Sequence, residues 1–337
     1  MSAISIGGEL IHYEVLGRGR PVILIHSWVG SWRYWVPTMQ NLQLKYRVYA
    51  LDLHGFGDSS KNPQKYTIDN QRKLLSDFMQ AMGIPKAAII GHGLGAWVAA
   101  EYARVFPEQA PRVMLISAPL FDMPNLDRRT RPGRGNAPIH SRTQQFNDVH
   151  PEATIMNSAI RTAMLERLRA ASASGQITAD YLPEIPPAPA DSGQRYNQLL
   201  DVIGSSSPEG LLQRCVKRSD PVYAKLEMDI PKTDPQAAKV SAIEYDCGRF
   251  LDTLWQLPMQ MVVLHGEADG LIEVPNESVL NYLTYDKEDK LLPILLPNVR
   301  HFPMLEYDRF NRLVNEFLEV PDISKLEVTE RWKRRSR

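Results

Sequence analysis

Apolar residues along this chain fall into short continuous runs separated by stripes with helical spacing. Runs at 21–25, 47–51, 87–90, 112–116, 259–264 and 291–296 are too short for helices and lack polar alternation. They predict strands buried on both faces of a sheet. Residues 3–16 predict a hairpin turning at Gly7-Gly8. Between the runs, 32–44, 67–82 and 310–318 predict helices. The second carries Ile68, Leu74, Leu75, Phe78 and Met79 on one stripe, and the third Leu313, Val314 and Phe317. Strands alternating with helices predict an α/β architecture whose mostly parallel sheet is covered on both sides. In such sheets function gathers at the carboxyl ends of the strands. His26, Asp52, Gly93 and Ser117 fall there.

From 121 to 256 the strand pattern stops. Helical stretches are predicted at 156–170, near Leu199-Leu200 and Leu211-Leu212, and over 241–257, with a proline-rich loop at 182–189. The expected organisation is therefore a sheet domain of 1–120 and 257–320, a helical cap of 121–256 inserted into it, and a basic tail of 321–337.

The densest local pattern is Gly91-His92-Gly93-Leu94-Gly95, between an apolar run and a helix-forming run from Ala96 to Arg104. Strand, tight turn and helix is the local structure it predicts. Three further strand ends carry patterned residues: His26-Ser27-Trp28-Val29-Gly30, Asp52-Leu53-His54-Gly55-Phe56-Gly57-Asp58-Ser59, and His265-Gly266-Glu267-Ala268-Asp269. His301-Phe302-Pro303 follows the last strand. In this order the set resembles the α/β hydrolases, whose nucleophile elbow reads Gly-x-Ser-x-Gly. The resemblance covers roughly 9–120 and 257–320.

The resemblance implies an α/β-hydrolase fold and a catalytic base, His301, oriented by Asp269, with Glu267 the nearby competitor. It implies an oxyanion hole from the backbone amides of Trp28 and Leu94. It also places the nucleophile at position 93, where this chain has glycine. Without a hydroxyl there, double displacement at that position is impossible. Three readings stay open. A His301–Asp269 dyad could activate a water, in the room left by the missing hydroxymethyl, or a substrate proton. The chain could be a non-catalytic relative that binds a small ligand or partner. The glycine could be an engineered substitution that inactivates the enzyme. Ser27 stands where the motif usually has glycine: either loop drift, or a hydroxyl that reaches the site. Glycine also relieves the strain of the elbow, so Gly93→Ser should destabilise the fold.

Ser27, His92 and Phe121 are the candidate pocket residues, and Trp28, Trp32, Trp35, Phe56, Trp97 and Trp255 further apolar lining. Ser117 reads as structural. The Arg128–Arg134 cluster reads as a solvated entry to the cap. The expected substrate is a small, largely apolar ester or carbonyl compound. No cofactor and no metal site is expected.

Composition narrows the partners little further. Lys+Arg and Asp+Glu are both 39, so the net charge is zero, and 43% of residues are hydrophobic. Nothing global favours nucleic acid. The five basic side chains between Arg331 and Arg337 read as a solvated tail. No run approaches the roughly 20 apolar residues of a membrane span, and the first residues lack the basic and apolar regions of a signal peptide. Two cysteines, Cys215 and Cys247, in no metal-like spacing fit a reducing compartment, and the expected location is cytoplasmic.

Overall fold

The computed structural model describes residues 2–123, 126, 129, 131, 132, 197–285, 287, 289–305 and 307–326. Its frame is one eight-stranded sheet in the order β1-β2-β4-β3-β5-β6-β7-β8. β1 (Ser2–Ile6) and β2 (Glu9–Gly17) form the predicted hairpin, and β2 runs antiparallel to β4 (Tyr46–Leu51). From β4 onward every pairing is parallel, through β3 (Arg20–Ile25), β5 (Ala88–His92), β6 (Arg112–Ile116), β7 (Gln260–Gly266) and β8 (Leu291–Leu296). The continuous apolar runs are the parallel strands because each must bury both faces under helices.

The helices do this as the stripes predict. α1 (Val36–Leu42) follows a 3-10 turn at Trp32–Trp35. α2 (Ile68–Ala81) is capped by the Thr67 hydroxyl, which accepts from the Asn70 N–H, and buries Leu74, Leu75, Phe78 and Met79. α3 (Leu94–Val105) starts directly after Gly93, two residues earlier than the helix-forming run suggests. Strand and helix approach too closely for a side chain at either of two glycines. A Cβ on Gly91 would lie 2.2 Å from the Gly95 carbonyl oxygen, and one on Gly95 would lie 2.4 Å from that of Ile25.

Between β6 and β7 the described residues form helices: α4 (Pro208–Cys215), α5 (Tyr223–Glu227), α6 (Pro235–Glu244) and α7 (Cys247–Gln256). The single helix expected over 241–257 is two. Tyr245 leaves the helical region, and the Asp246 carboxylate restarts the chain by accepting from the Arg249 N–H. The Leu199-Leu200 signal becomes a π-helical turn, Leu200–Gly204. The predictions for 156–170 and 182–189 lie outside the described residues, as do most of the segment 121–196 and the tail beyond 326. α8 (Glu277–Thr284) packs against α7, and α9 (Tyr307–Glu319) against α1. No helix among the described residues is long and apolar enough to cross a membrane.

The arginine cluster departs from its solvated reading where it is described. The Arg129 guanidinium makes two hydrogen bonds to Asp252, at 3.0 and 2.6 Å, with its side chain only 15% exposed. The Arg131 guanidinium stacks over the rings of Tyr282 and Tyr285. Both hold the chain after β6 against α7 and α8. A guanidinium with a carboxylate or ring at hand gains more there than in water.

Candidate active site

The parallel strands deliver the patterned residues to one end of the sheet. In the pairing of β3 with β5, Ile25 lies opposite Gly91. Two residues further on, the turns bring Ser27 against Gly93. Gly93 has φ +53° and ψ −110°, a conformation that a residue with a Cβ adopts only at a cost. Its N–H donates to the Ile116 carbonyl at 2.8 Å, which locks the turn to β6.

The acid and the histidine arrive from the other half of the chain. Asp269 follows β7 and His301 follows β8. The His301 Nδ1 lies 2.9 Å from the Asp269 Oδ2, and neither side chain has exposed surface. The other Asp269 oxygen accepts from the N–H groups of Leu271 and Ile272 at 2.8 and 3.0 Å. Burial alone would raise this carboxyl. The His301 imidazole and the two amide donors reverse that and hold it well below the usual carboxylate range. An ionised Asp269 requires the proton on His301 Nδ1, so Nε2 is left as the acceptor. Glu267, the competitor from sequence, is exposed and does not share this contact.

Nε2 is not bare. The Ser27 Oγ lies 3.0 Å from it, completing a buried line from Asp269 through His301 to a hydroxyl. Here the structure corrects the sequence reading that the missing hydroxymethyl leaves room for a water. A Cβ built on Gly93 would lie 2.1 Å from the Ser27 Oγ, 2.9 Å from its Cβ and 3.1 Å from the Trp28 ring. The space belongs to Ser27.

Behind this line runs a chain of hydrogen bonds that sequence reading missed. The Ser27 N–H donates to the Tyr34 hydroxyl at 2.8 Å, and that hydroxyl donates to His92 Nδ1 at 3.0 Å. His92 Nε2 donates to the His301 carbonyl at 2.8 Å. His92, expected in the pocket, therefore has both nitrogens engaged behind the site. Its ring lies against that of His301, with centroids 4.4 Å apart. Burial, then the neighbouring His301, pushes its pKa well below the ordinary value, so it is neutral. Ser117, at φ +45°, also directs its hydroxyl to the His301 carbonyl, at 3.4 Å, in line with a structural role.

The turn after β3 is fixed from its other side. His26 donates from Nδ1 to the Ser27 carbonyl and accepts the Leu53 N–H at Nε2. The His26 carbonyl accepts the Gly95 N–H at 3.0 Å. The Leu94 N–H opens α3, where a helix offers its amides no internal acceptor.

The helices between β6 and β7 bear directly on this end of the sheet. The Trp28 indole donates to the Ser241 hydroxyl on α6 at 2.9 Å. Ser31 and Arg33 bind the buried Asp229 at 2.7 and 3.0 Å, and Asp58 joins Arg33 to Lys232. Arg300 donates to the carbonyls of Arg214 and Cys215 at the end of α4. Phe121, expected in the pocket, is packed instead. It is 4% exposed and sits edge-on to Tyr245, whose hydroxyl binds the Pro119 carbonyl. Trp97 packs against Tyr245 and Phe250. Trp35 and Phe56 are fully buried.

One group among the described residues has metal-ligand geometry: His12, Asp52 and Asp58. Its carboxylates are already committed. Asp52 accepts the N–H groups of Trp32 and Asp58, and Asp58 pairs with Arg33 and Lys232. The group ties β2, β4 and the turn after β3 together.

Comparison with known proteins agrees with this architecture. Residues 20–136 match a family model described as the alpha/beta hydrolase fold, and Asp269 and His301 lie beyond the matched residues. A stretch of 120 residues is 32% identical to bifunctional epoxide hydrolase 2 of Mus musculus, covering 34% of this chain and 21% of that protein. Another, of 99 residues, is 36% identical to the 2-hydroxy-6-oxo-6-(2'-aminophenyl)hexa-2,4-dienoic acid hydrolase of Metapseudomonas resinovorans, covering 27% and 33%. The matches thus span about a fifth to a third of the length of these curated relatives. Among solved structures, a thermophilic esterase from Thermogutta terrifontis superposes with a TM-score of 0.61 at 19% identity, over 94% of this chain and 98% of that one. The chain has the α/β-hydrolase fold.

Proposed function

We propose that this protein is a hydrolase of a small, largely apolar ester or activated carbonyl compound, with His301 as general base and Asp269 as its orienting acid. The observation that carries the reading is the buried contact between His301 Nδ1 and an Asp269 carboxylate held ionised by His301 and two backbone amides. The buried Asp52 and Asp229 are committed to backbone amides, Ser31 and Arg33, whereas Asp269 spends one oxygen on an imidazole whose other nitrogen faces a hydroxyl. The carboxylate fixes the imidazole tautomer and stabilises the cation formed when Nε2 takes a proton. The amides of Trp28 and Leu94 are the oxyanion donors in this reading. Backbone N–H groups are indifferent to the loss of a side chain at position 93.

The helices between β6 and β7 act as the cap. Ser241, Asp229 and Leu226 reach the turn that carries Ser27 and Trp28, and so cover the reacting groups from solvent. Exclusion of water strengthens the electrostatic contacts inside. The test is turnover of short-chain p-nitrophenyl esters by wild type and by His301→Ala. Hydrolysis by wild type that falls about a thousandfold or more in the variant is the expected result. An inert wild type would favour the non-catalytic reading.

A further inference from the structure

The geometry points to Ser27 as the nucleophile of this site: the catalytic hydroxyl has moved from the turn after β5 to the turn after β3 and kept its place in space. This rests on the hydrolase reading above and assigns the residue that reading leaves open.

Three observations converge. The register of β3 on β5 ends with Ile25 opposite Gly91, so the turns that carry Ser27 and Gly93 leave the sheet side by side. The Ser27 Oγ lies 2.1 Å from where a Cβ at position 93 would stand, so it fills the space that an elbow side chain would enter. The same oxygen is 3.0 Å from His301 Nε2, the nitrogen left to accept a proton. Nucleophile to base and base to acid are both within hydrogen-bond reach, which is the geometric signature of an activated serine. A serine that merely filled space would not need its hydroxyl aimed at the one basic nitrogen of the dyad.

The supporting contacts suit a working nucleophile. The Ser27 N–H is held by Tyr34, and its carbonyl by His26, so the backbone that carries Oγ is fixed on both sides. The amide after the nucleophile is the usual first oxyanion donor. With Ser27 in that role the donor is Trp28, and Leu94 at the start of α3 becomes the second. The two turns exchange functions while the pair of amides stays the same.

The reaction then balances as follows. His301 Nε2 takes the Ser27 hydroxyl proton as Oγ bonds to the ester carbonyl carbon, and the carbonyl electron pair moves onto oxygen facing the amides. Collapse restores the carbonyl and breaks the bond to the alcohol oxygen, which leaves with the proton from Nε2. A water then gives a proton to Nε2 and bonds to the acyl carbon. The second collapse breaks the bond to Oγ, and Ser27 recovers its proton. The sum is ester plus water to acid plus alcohol.

The probe is diethyl p-nitrophenyl phosphate, which leaves a stable diethylphosphoryl group on an activated serine. Wild type is expected to release one equivalent of p-nitrophenolate and to carry the adduct on Ser27. That residue lies in the tryptic peptide 19–33 with Ser31, and fragmentation separates the two. Ser27→Ala should form no adduct and lose ester turnover by about a thousandfold or more, while its circular dichroism spectrum and melting profile show a folded protein. Ser27→Cys should accept an iodoacetamide label that His301→Ala slows. An adduct on any other residue overturns the assignment. So does ester turnover that depends on His301 but persists in Ser27→Ala, a result that leaves the dyad reading standing with water as nucleophile. A wild type with neither turnover nor adduct overturns both.

Discussion

The Ser27 hydroxyl occupies the volume that a side chain on Gly93 would need, 2.1 Å from the position of its Cβ. The two residues are therefore coupled by exclusion. Gly93→Ala should destabilise the fold by about 2 kcal/mol or more, from strain at φ +53° and from overlap with Ser27. Gly93→Ser should do the same. Adding Ser27→Gly removes the overlap and leaves the strain, so the double variant should recover part of the loss. A double-mutant cycle on urea unfolding measures this coupling. Additive losses would show that the two positions do not compete for space.

Asp269→Asn tests the acid without changing shape. The amide can turn its NH2 toward Nδ1 and force the proton to Nε2, the wrong tautomer for a base. Turnover should fall by a factor on the order of 10^3–10^4. The substitution also has a pH signature. The folded carboxyl titrates below its unfolded value, so its contribution to stability is complete above roughly pH 4 and is lost as pH falls below that. Acid titration of the wild-type melting temperature should therefore drop more steeply below pH 4 than that of Asp269→Asn.

A second pH effect acts higher on the scale. Burial pushes His265 and His54 down to about 4, so both are neutral in the folded protein at pH 5. Their unfolded forms titrate near 6.5. Depressed folded values mean that the unfolded chain binds protons first, and stability falls as pH drops from about 6.5 to 4. Wild type should melt at a lower temperature at pH 5 than at pH 7.5. His265→Gln and His54→Gln should each flatten that slope, which calorimetry at the two pH values reads directly.

Tyr34→Phe removes the hydroxyl between the Ser27 N–H and His92 Nδ1. Both would be left buried and unpaired, at a cost of about 1–3 kcal/mol. If the chain positions the reacting groups, kcat should fall more than KM rises. A loss of stability with unchanged kcat would reduce Tyr34 to a packing role.

Much of this was legible in the sequence, and what was not has a common physical origin. Continuous apolar runs gave the parallel strands because burial on both faces leaves one pattern. The strand-end motifs located Asp269 and His301 because each follows its strand immediately. The role proposed for Ser27 was left open because a serine in a loop carries no local sign of its partner. Only the pairing of β3 with β5 reveals that it faces Gly93. His92 and Phe121 looked like pocket residues from their neighbours in sequence, but backbone direction at a strand end decides which side a residue serves. Tyr34, four residues beyond Gly30 at the end of the motif, gave no signal at all. The break at Tyr245 and Asp246 was readable in principle, since aspartate is a favoured helix N-cap. Apolar residues on either side concealed it.

The exchange of positions can be tested by reversing it. Ester turnover should be compared in wild type, Ser27→Gly, and the double variant Ser27→Gly/Gly93→Ser. Ser27→Gly should be inactive, and the double variant, with a hydroxyl back on the turn after β5, should regain at least tenfold over it. A Ser27→Gly variant as active as wild type would contradict the account, and so would a folded double variant no better than the single one.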